Sequence, residues 1–175
     1  RAYDHSSFID YSAPSISLSK FIKVDVFSYA SSAARRAIPA LDGLKETQRK
    51  IVWHAMRTAS KGEVKVAQFG ASCAEAAQYA HGEVSLIDAV TRMASTYCGS
   101  SNISLLVPSG QLGSRHTHKA AAARYIFTQA DSILPLLFPP DDAAVLQHAT
   151  EDGFTVEPVS YTPVIPFLLV NGVEG

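Results

Sequence analysis

Cysteine is scarce in this chain, and several other features are missing. The two cysteines among 175 residues, Cys73 and Cys98, are too few for a disulfide framework and are typical of a reducing compartment. No apolar run approaches the roughly 18 residues of a membrane-spanning helix. Residues 1–14 contain no apolar signal segment, and the chain has no glycine-rich nucleotide-binding loop. We expect an intracellular globular domain, or one domain and the start of another, and a first residue other than Met indicates a piece of a longer protein.

Basic residues are absent from residue 125 onward. Residues 1–124 contain all fifteen Lys and Arg against nine Asp and Glu, a balance of +6, whereas residues 125–175 contain seven acids and no Lys or Arg, a balance of −7. The first part would offer a basic surface to phosphate groups. Ordinary solvation of an uneven surface explains the charge split equally well, and both interpretations stay open on charge alone.

The order of predicted elements indicates an α+β fold. We predict helices over 20–34, 45–59, 65–79 (with a turn near Phe69–Gly70) and 83–97, a strand over 103–107, a loop over 108–119 and a strand over 125–128. Short helices over 131–138 and 142–150 and extended chain over 154–170 follow. Helices followed by a strand, a basic loop and a returning strand form a winged helix, with 72–79 as its recognition helix and 108–119 in the wing. The alternative is an unrelated helical bundle with a β-tail.

The helix predicted over 45–59 has a cationic side. Arg49, Lys50, Trp53 and Arg57 recur at helical spacing opposite an apolar face. A row of cations beside an aromatic ring suits a phosphate backbone. A solvated face with one half-buried tryptophan is the other interpretation.

The stretch KAAAARYIFT, residues 119–128, carries the candidate chemistry. Alanines precede Arg124 and Tyr125, and the β-favouring residues that follow place Tyr125 at a loop-to-strand junction. A phenol is a useful nucleophile only when its proton is removed and cations polarise the group it attacks. The planar guanidinium of Arg124 fits phosphate oxygens. A packing tyrosine beside a surface arginine is the plainer alternative. The pair His116 and His118 could touch a metal, but because no third ligand lies nearby in sequence, we favour phosphate contact or simple exposure.

Five strings in order resemble the type IIA DNA topoisomerases, in the eukaryotic and large-DNA-virus branch. They are IPALDGLKETQRKIVW (38–53), EVKVAQFGASCAEAAQYAHGE (63–83), STYCGSSNISLLVPSGQLGSR (95–115), KAAAARYIFT (119–128) and VEPVSYTPVIPFLLVNGVEG (156–175). Residues 1–19 are rich in Ser, Asp and Tyr, a composition that predicts an extended lead-in. From about Lys20 onward, the resemblance implies a winged-helix DNA-cleavage domain over 20–150 and the start of the tower region over 151–175. It also implies an ATP-dependent enzyme that cuts both DNA strands through a 5′-phosphotyrosyl intermediate and religates them.

The resemblance also assigns roles to residues. Tyr125 matches the family nucleophile, Arg124 its neighbour at the scissile phosphate, and Arg49 and His81 further active-site residues. The residues that fall on DNA-contacting strings are Lys50, Lys65, Gln68, Arg115 and Lys119. The sequence departs from the family pattern at Ala80, Glu46–Thr47, 116–118 and Ala120. These departures affect loop conformation and drug response rather than the Arg-Tyr pair.

The resemblance implies cofactors and partners that this segment does not itself bind. Mg²⁺ and ATP would be held by other domains of the same enzyme, and no metal site is expected here. The partners would be double-stranded DNA, a second copy in a homodimer, and the metal-binding and ATPase domains, in the nucleus or at a viral replication site. The segment alone should cleave poorly or not at all. Two rival functions are a non-catalytic winged-helix DNA-binding module and a structural or assembly piece whose basic face meets an acidic protein.

Overall fold

The computed structural model describes residues 9–58 and 62–172. The helices are α1 (Leu18–Phe21), α2 (Phe27–Ala37), α3 (Glu46–Thr58), α4 (Val66–Ala76), α5 (Glu83–Ala94), α6 (Leu134–Leu137) and α7 (Phe167–Asn171), with a π-helical turn at Ile22–Val26 and a 3₁₀ turn at Pro140–Ala144. The strands are β1 (Val64–Lys65), β2 (Leu106–Ser109), β3 (Phe127–Ala130), β4 (His148–Glu151) and β5 (Phe154–Pro158). The α+β class is therefore confirmed.

The helical run from α1 through the π-helical turn to α2 lies on the surface. Ser17 caps its start by accepting a hydrogen bond from the Lys20 amide, and Arg35 and Arg36 lie in its last turn, where cations favour the helix dipole. None of its residues is buried. The predicted helix over 20–34 is confirmed, although helical structure begins two residues earlier. Within the predicted lead-in, residues 1–8 lie outside the described residues.

The core forms where α3, α4 and α5 pack against the three-stranded sheet. Helix α3 has seven consecutive buried residues, Arg49–Ala55. It packs against α4 and α5 as well as strands β3 and β5. The prediction of a solvent-facing cationic row is therefore wrong for Arg49, Lys50 and Trp53. Only Arg57 is exposed, and its guanidinium lies 4.5 Å from the centre of the Trp53 ring.

Helix α4 runs without interruption through Phe69–Gly70, so the turn predicted there is wrong. A Cβ atom on Gly70 would lie 2.6 Å from Cγ1 of Ile87 on α5. The glycine therefore permits close packing of two helices rather than a change of chain direction. The predicted recognition helix over 72–79 begins within α4, and the helical structure ends at Ala76.

A three-stranded antiparallel sheet, in the order β1-β3-β2, covers one side of these helices. Thr128 in the central strand pairs with Val64 on one side and Pro108 on the other. Two predicted boundaries are wrong. Lys65 belongs to strand β1 rather than to a helix, and Pro108 lies within strand β2 rather than at the start of a loop. Pro108 is tolerated because β2 lies at the edge of the sheet.

The chain after α6 forms a hairpin that the sequence interpretation missed. Strands β4 and β5 pair antiparallel through Asp152 and Gly153, whose φ angles are 48° and 82°. Asp-Gly at positive φ is the favoured two-residue hairpin turn, so this signal was present in the sequence. The helix predicted over 142–150 is wrong, and so is extended chain at 167–171, where α7 forms. Pro135 lies in the first turn of α6, where it needs no amide donor.

Candidate functional site

Tyr125 lies on an exposed turn immediately before β3. The residue is 65% exposed, and its amide donates to the Ala122 carbonyl at 2.8 Å. The guanidinium of Arg124 lies 4.7 Å from the centre of the Tyr125 ring, a cation–π arrangement. The predicted loop-to-strand junction is confirmed. The phenol faces solvent, where it is accessible to a large substrate, and a permanent cation stands beside it.

The amino end of α4 holds this turn in place. The amides of Val66 and Ala67 donate to the carbonyls of Ile126 (3.0 Å) and Ala123 (3.2 Å), which flank Arg124 and Tyr125. The first amides of a helix have no partner within it, so these two bonds satisfy donors that would otherwise need water. The turn is therefore attached directly to a helix start.

Two predicted DNA-contacting residues lie at the same end of α4. Lys65 is the N-cap residue and Gln68 lies in the first turn, and both are exposed. The positive end of a helix dipole favours anions. The structure thus brings Lys65, Gln68, Arg124 and Tyr125 to one helix end.

The loop between β2 and β3 begins and ends beside the same turn. A Cβ atom on Gly110 would lie 3.3 Å from Cγ2 of Ile126 and 3.6 Å from the Tyr125 carbonyl oxygen. The loop closes on itself, because the Gln111 side chain donates to the Lys119 carbonyl at 3.2 Å. Arg115 and Lys119 are exposed on this loop. Both predicted cations therefore belong to a segment whose start contacts the tyrosine turn.

The histidines of this loop face different surroundings. Both are exposed, but the His118 ring also stacks on Tyr97, with centres 5.2 Å apart and planes 16° from parallel. Over residues 9–58 and 62–172, no group of three or more His, Cys, Asp and Glu has the arrangement of a metal site. Within the same ranges, no helix is long and apolar enough to cross a bilayer.

Arg49 is paired inside the protein. Its Nε and Nη2 donate to the two carboxylate oxygens of Asp42 at 2.7 and 3.1 Å, and Nη2 also donates to the Leu44 carbonyl at 2.9 Å. Asp42 is fully buried and accepts further bonds from the amides of Leu44 and Tyr161. This bidentate pair stabilises the loop before α3.

His81 lies at the surface, with its ring edge-to-face against Tyr79 at 5.4 Å. In the part of the chain that the structure describes, no hydrogen bond, ion pair or ring contact joins His81 or Arg49 to Tyr125. Of the other three predicted catalytic residues, only Arg124 contacts Tyr125 directly in the described part of the chain.

Lys50 is an internal cation. The residue is 2% exposed, and Nζ donates to the Ala77 carbonyl at 3.0 Å while lying 2.9 Å from Glu157 and 3.1 Å from Glu151. Burial opposes the charged form, but hydrogen bonds and charge from Glu157 and then Glu151 prevail and raise the pKa of Lys50. Burial raises the pKa of Glu157 despite the nearby ammonium. The prediction that Lys50 contacts DNA is corrected, because its charge is directed inward.

A groove of about 860 Å³ separates the start of α3 from α5 and the segment 99–103. Arg36, Lys45 and Arg92 line it together with Asp88. Sequence reasoning assigned none of these three cations to a site. Their only signals were places at helix ends, which are common for cations of any role.

The known proteins that resemble this chain are DNA topoisomerases. The family model for the A-subunit of DNA gyrase/topoisomerase IV matches residues 36–175. DNA topoisomerase 2 of Trypanosoma cruzi is 41% identical, with 99% of this chain and 14% of that protein covered. Human DNA topoisomerase 2-alpha is 44% identical, with 89% of this chain and 10% of that protein covered.

A solved structure is similar over nearly the whole chain. The crystal structure of the Plasmodium falciparum topoisomerase II DNA-binding, cleavage and re-ligation domain is 38% identical, with a TM-score of 0.84. The match covers 99% of this chain and 24% of that one. The chain thus spans a small part of each protein that it resembles.

Proposed function

Because this chain belongs to the DNA gyrase/topoisomerase IV family of type II topoisomerases, we propose that it is the DNA-cleavage segment of an ATP-dependent type II enzyme. The observation that carries the proposal is the solvent-exposed phenol of Tyr125, held at the start of α4 with Arg124 over its ring. The chain spans between 10% and 14% of the trypanosomal and human relatives, so the activity is that of a longer protein.

The proposed fold assignment is a winged helix. Helices α3, α4 and α5 pack together, and β2 and β3 flank a basic loop beside the tyrosine, which is the arrangement of a wing. We assign residues 20–150 to this domain and the hairpin and α7 within 151–175 to the start of the tower region. The recognition helix in this assignment is α4, whose exposed Lys65 and Gln68 lie at its amino end.

The proposed reaction is an attack by Tyr125 on a DNA phosphodiester. A bond forms between the phenolic oxygen and phosphorus, the phenol loses its proton, and the bond from phosphorus to the 3′-oxygen breaks. The phenol proton passes to solvent and the departing 3′-oxygen takes up a proton, so the strand then has a free 3′-hydroxyl and a 5′-phosphotyrosyl link, and the reverse attack religates it. Arg124 is placed to stabilise the extra charge of the pentavalent phosphate, by an amount of about 3 kcal/mol if it acts like an oxyanion donor.

In this proposal, Arg49 and His81 contribute to cleavage once DNA is bound. Catalytic contacts often form only in the substrate complex, so the separation of these residues from Tyr125 in the free chain does not exclude them. His81 is exposed and would orient the phosphate or relay a proton. Arg49 would act from its Asp42 pair, with the remaining nitrogen of its guanidinium. Lys65, Gln68, Arg115 and Lys119 would contact the phosphate backbone.

The residues that the structure describes do not fit a magnesium site. No group of three or more His, Cys, Asp and Glu among them could hold a metal ion, and the buried acids Asp42 and Glu157 are paired with Arg49 and Lys50. We derive no step through the metal. In this proposal Mg²⁺ and ATP are bound by other domains of the same enzyme, which acts on double-stranded DNA as a homodimer in the nucleus or at a viral replication site.

The test uses the full-length enzyme with Mg²⁺ and end-labelled duplex DNA, trapped with denaturant and resolved on a denaturing gel. Tyr125→Phe should abolish the covalent adduct and leave DNA affinity within about twofold, because only the nucleophilic oxygen is removed. Tyr29→Phe is the matched control, since Tyr29 is similarly exposed on α2, and it should retain the adduct.

The outcomes separate the rival functions. An adduct that persists in Tyr125→Phe refutes the assignment. A wild-type enzyme that binds DNA in a salt-dependent way without an adduct is a DNA-binding module. A wild-type enzyme that does not bind DNA would instead have the structural or assembly function.

A further inference from the structure

We propose that Lys50 is a positioning residue of the cleavage site. Its buried ammonium connects the β4–β5 hairpin to the carboxyl end of α4, the helix whose first turn holds Tyr125. The inference rests on the proposed function of Tyr125. It replaces a DNA-contacting role for Lys50 with an internal one.

The donors of Lys50 are fully used. An ammonium group has three N–H donors, and here they meet three acceptors: the Ala77 carbonyl, Glu151 and Glu157. The Lys50 and Glu157 side chains are 2% and 4% exposed, and Glu151 is 33% exposed. No donor is left for a phosphate, and the surrounding protein separates the charge from solvent. We refer to these four residues as the Lys50 cluster.

The cluster joins segments that are distant in sequence. Ala77 is the C-cap residue of α4, and the last carbonyls of a helix lack partners within it and carry partial negative charge. Glu151 ends β4 and Glu157 lies in β5. One cation on α3 therefore satisfies the end of one helix and both strands of a hairpin.

Helix α4 links the cluster to the tyrosine. At its carboxyl end the Ala77 carbonyl accepts from Lys50. At its amino end Val66 and Ala67 donate to the carbonyls that flank Arg124 and Tyr125. The helix has only eleven residues and is packed closely on α5 through Gly70, so a shift at one end displaces the other.

Stability alone does not explain a buried ion cluster. Packed apolar side chains of similar size often stabilise a protein as well as a buried ion pair does. Here the ammonium also holds three acceptors at hydrogen-bond distance, 3.0 Å for the Ala77 carbonyl, 2.9 Å for Glu157 and 3.1 Å for Glu151. The Lys50 cluster therefore fixes where the hairpin and α4 lie relative to each other.

The test compares two lysines in the full-length enzyme. For Lys50→Met, we expect an unchanged slope of log affinity against log salt for a duplex of fixed length. The single-turnover rate of adduct formation at saturating DNA should fall about 10- to 100-fold, as misplacement by about 1 Å causes. For the control Lys65→Met, on the exposed N-cap of α4, the fall of log affinity with log salt should become less steep by about 0.9, because one phosphate contact is lost.

A second, milder variant keeps the test informative if Lys50→Met does not fold. Lys50→Met leaves the buried Glu157 carboxylate unpaired, whereas Glu151→Gln changes the most exposed partner and keeps the shape of the side chain. Glu151→Gln should lower the saturating rate in the same way but to a smaller extent. Amide hydrogen exchange should accelerate both in the hairpin and at residues 75–78.

The outcomes are decisive in both directions. The proposal is overturned if the salt dependence of DNA affinity becomes less steep in Lys50→Met, as it does in Lys65→Met. It is also overturned if the rate of adduct formation at saturating DNA is unchanged in both Lys50→Met and Glu151→Gln. Faster exchange in the hairpin without any change at the end of α4 also overturns it. If the wild-type enzyme forms no adduct, the proposed function fails, and joint acceleration of exchange in Glu151→Gln would still support the connection itself.

Discussion

Cys73 lies on the fully buried face of α4, where its thiol donates to the backbone carbonyl of Lys50 at 3.6 Å. Burial raises the pKa of this thiol to about 12, against the opposing charge of Lys50. Burial also raises the pKa of Tyr161, with a further contribution from Glu157. These groups are neutral and enclosed in the folded chain, so their ionisation favours unfolding.

The stability of the chain should therefore decrease at alkaline pH. A thiol with an ordinary pKa of 9.0 ionises in the unfolded chain before it does so in the folded one, so the free energy of unfolding falls as pH rises above 9.0. The decrease for Cys73 approaches about 1.4 kcal/mol per pH unit. Urea unfolding on both sides of that pH should show a shallower decrease in Cys73→Ala. The exposed Cys98 provides the control, and equal slopes in Cys73→Ala and wild type would contradict this account.

Arg49 and Lys50 show the limit of residue-level prediction. Helical periodicity placed them opposite the apolar face, and charge made that side a candidate DNA surface. Their partners, Asp42 and the two hairpin glutamates, lie 7 and more than 100 residues away. A single sequence does not reveal that a cation has a distant partner. The loop-to-strand junction at Tyr125 was predicted because the β-favouring run that follows it is local in sequence, whereas the bonds from Val66 and Ala67 that hold the turn were not.

Helices α4 and α5 approach each other closely through Gly70. A Cβ at that position would overlap Cγ1 of Ile87. Relief would require Ile87 to change rotamer or the helices to separate. The pairing matters for the site, because α4 carries the tyrosine turn at its amino end.

Gly70→Ala should lower the free energy of unfolding by about 1–3 kcal/mol, the usual cost of overpacking. The better helix propensity of alanine would offset about 1 kcal/mol of the clash. In an Ile87→Ala background the same change should be neutral or stabilising, because the overlapping atoms are gone. Urea unfolding of the four chains completes the cycle. A Gly70→Ala effect that is equal in both backgrounds would show that the two side chains do not compete for space.

Elements with a continuous apolar stripe were predicted well, and those that depend on packing or turns were not. The starts of α3 and α5 lie within one residue of the prediction because a loop or glycine precedes each. The turn predicted at Phe69–Gly70 was wrong because glycine serves both turns and close helix packing. The β4–β5 hairpin was missed because Asp152–Gly153 lacks strongly alternating strands on either side.

At the scale of the whole chain, the split in charge is partly neutralised inside the fold. Glu151 and Glu157 belong to the acidic part, yet both pair with Lys50 of the basic part. The remaining cations near Tyr125 lie on the start of α4 and on the loop before β3, and they are exposed. A basic surface at this place stays a prediction, and its extent depends on pairs that only the fold brings together.

Mapping the covalently modified residue tests the central claim most directly. The full-length enzyme is trapped on DNA, the DNA is removed by nuclease, and the protein is cut with trypsin and a protease specific for the amino side of Asp. Cleavage after Arg124 and before Asp131 releases YIFTQA, in which Tyr125 is the only tyrosine. The account predicts that this peptide gains the mass of a nucleotide on Tyr125. An unmodified peptide from trapped enzyme, or a nucleotide on another residue, would contradict it.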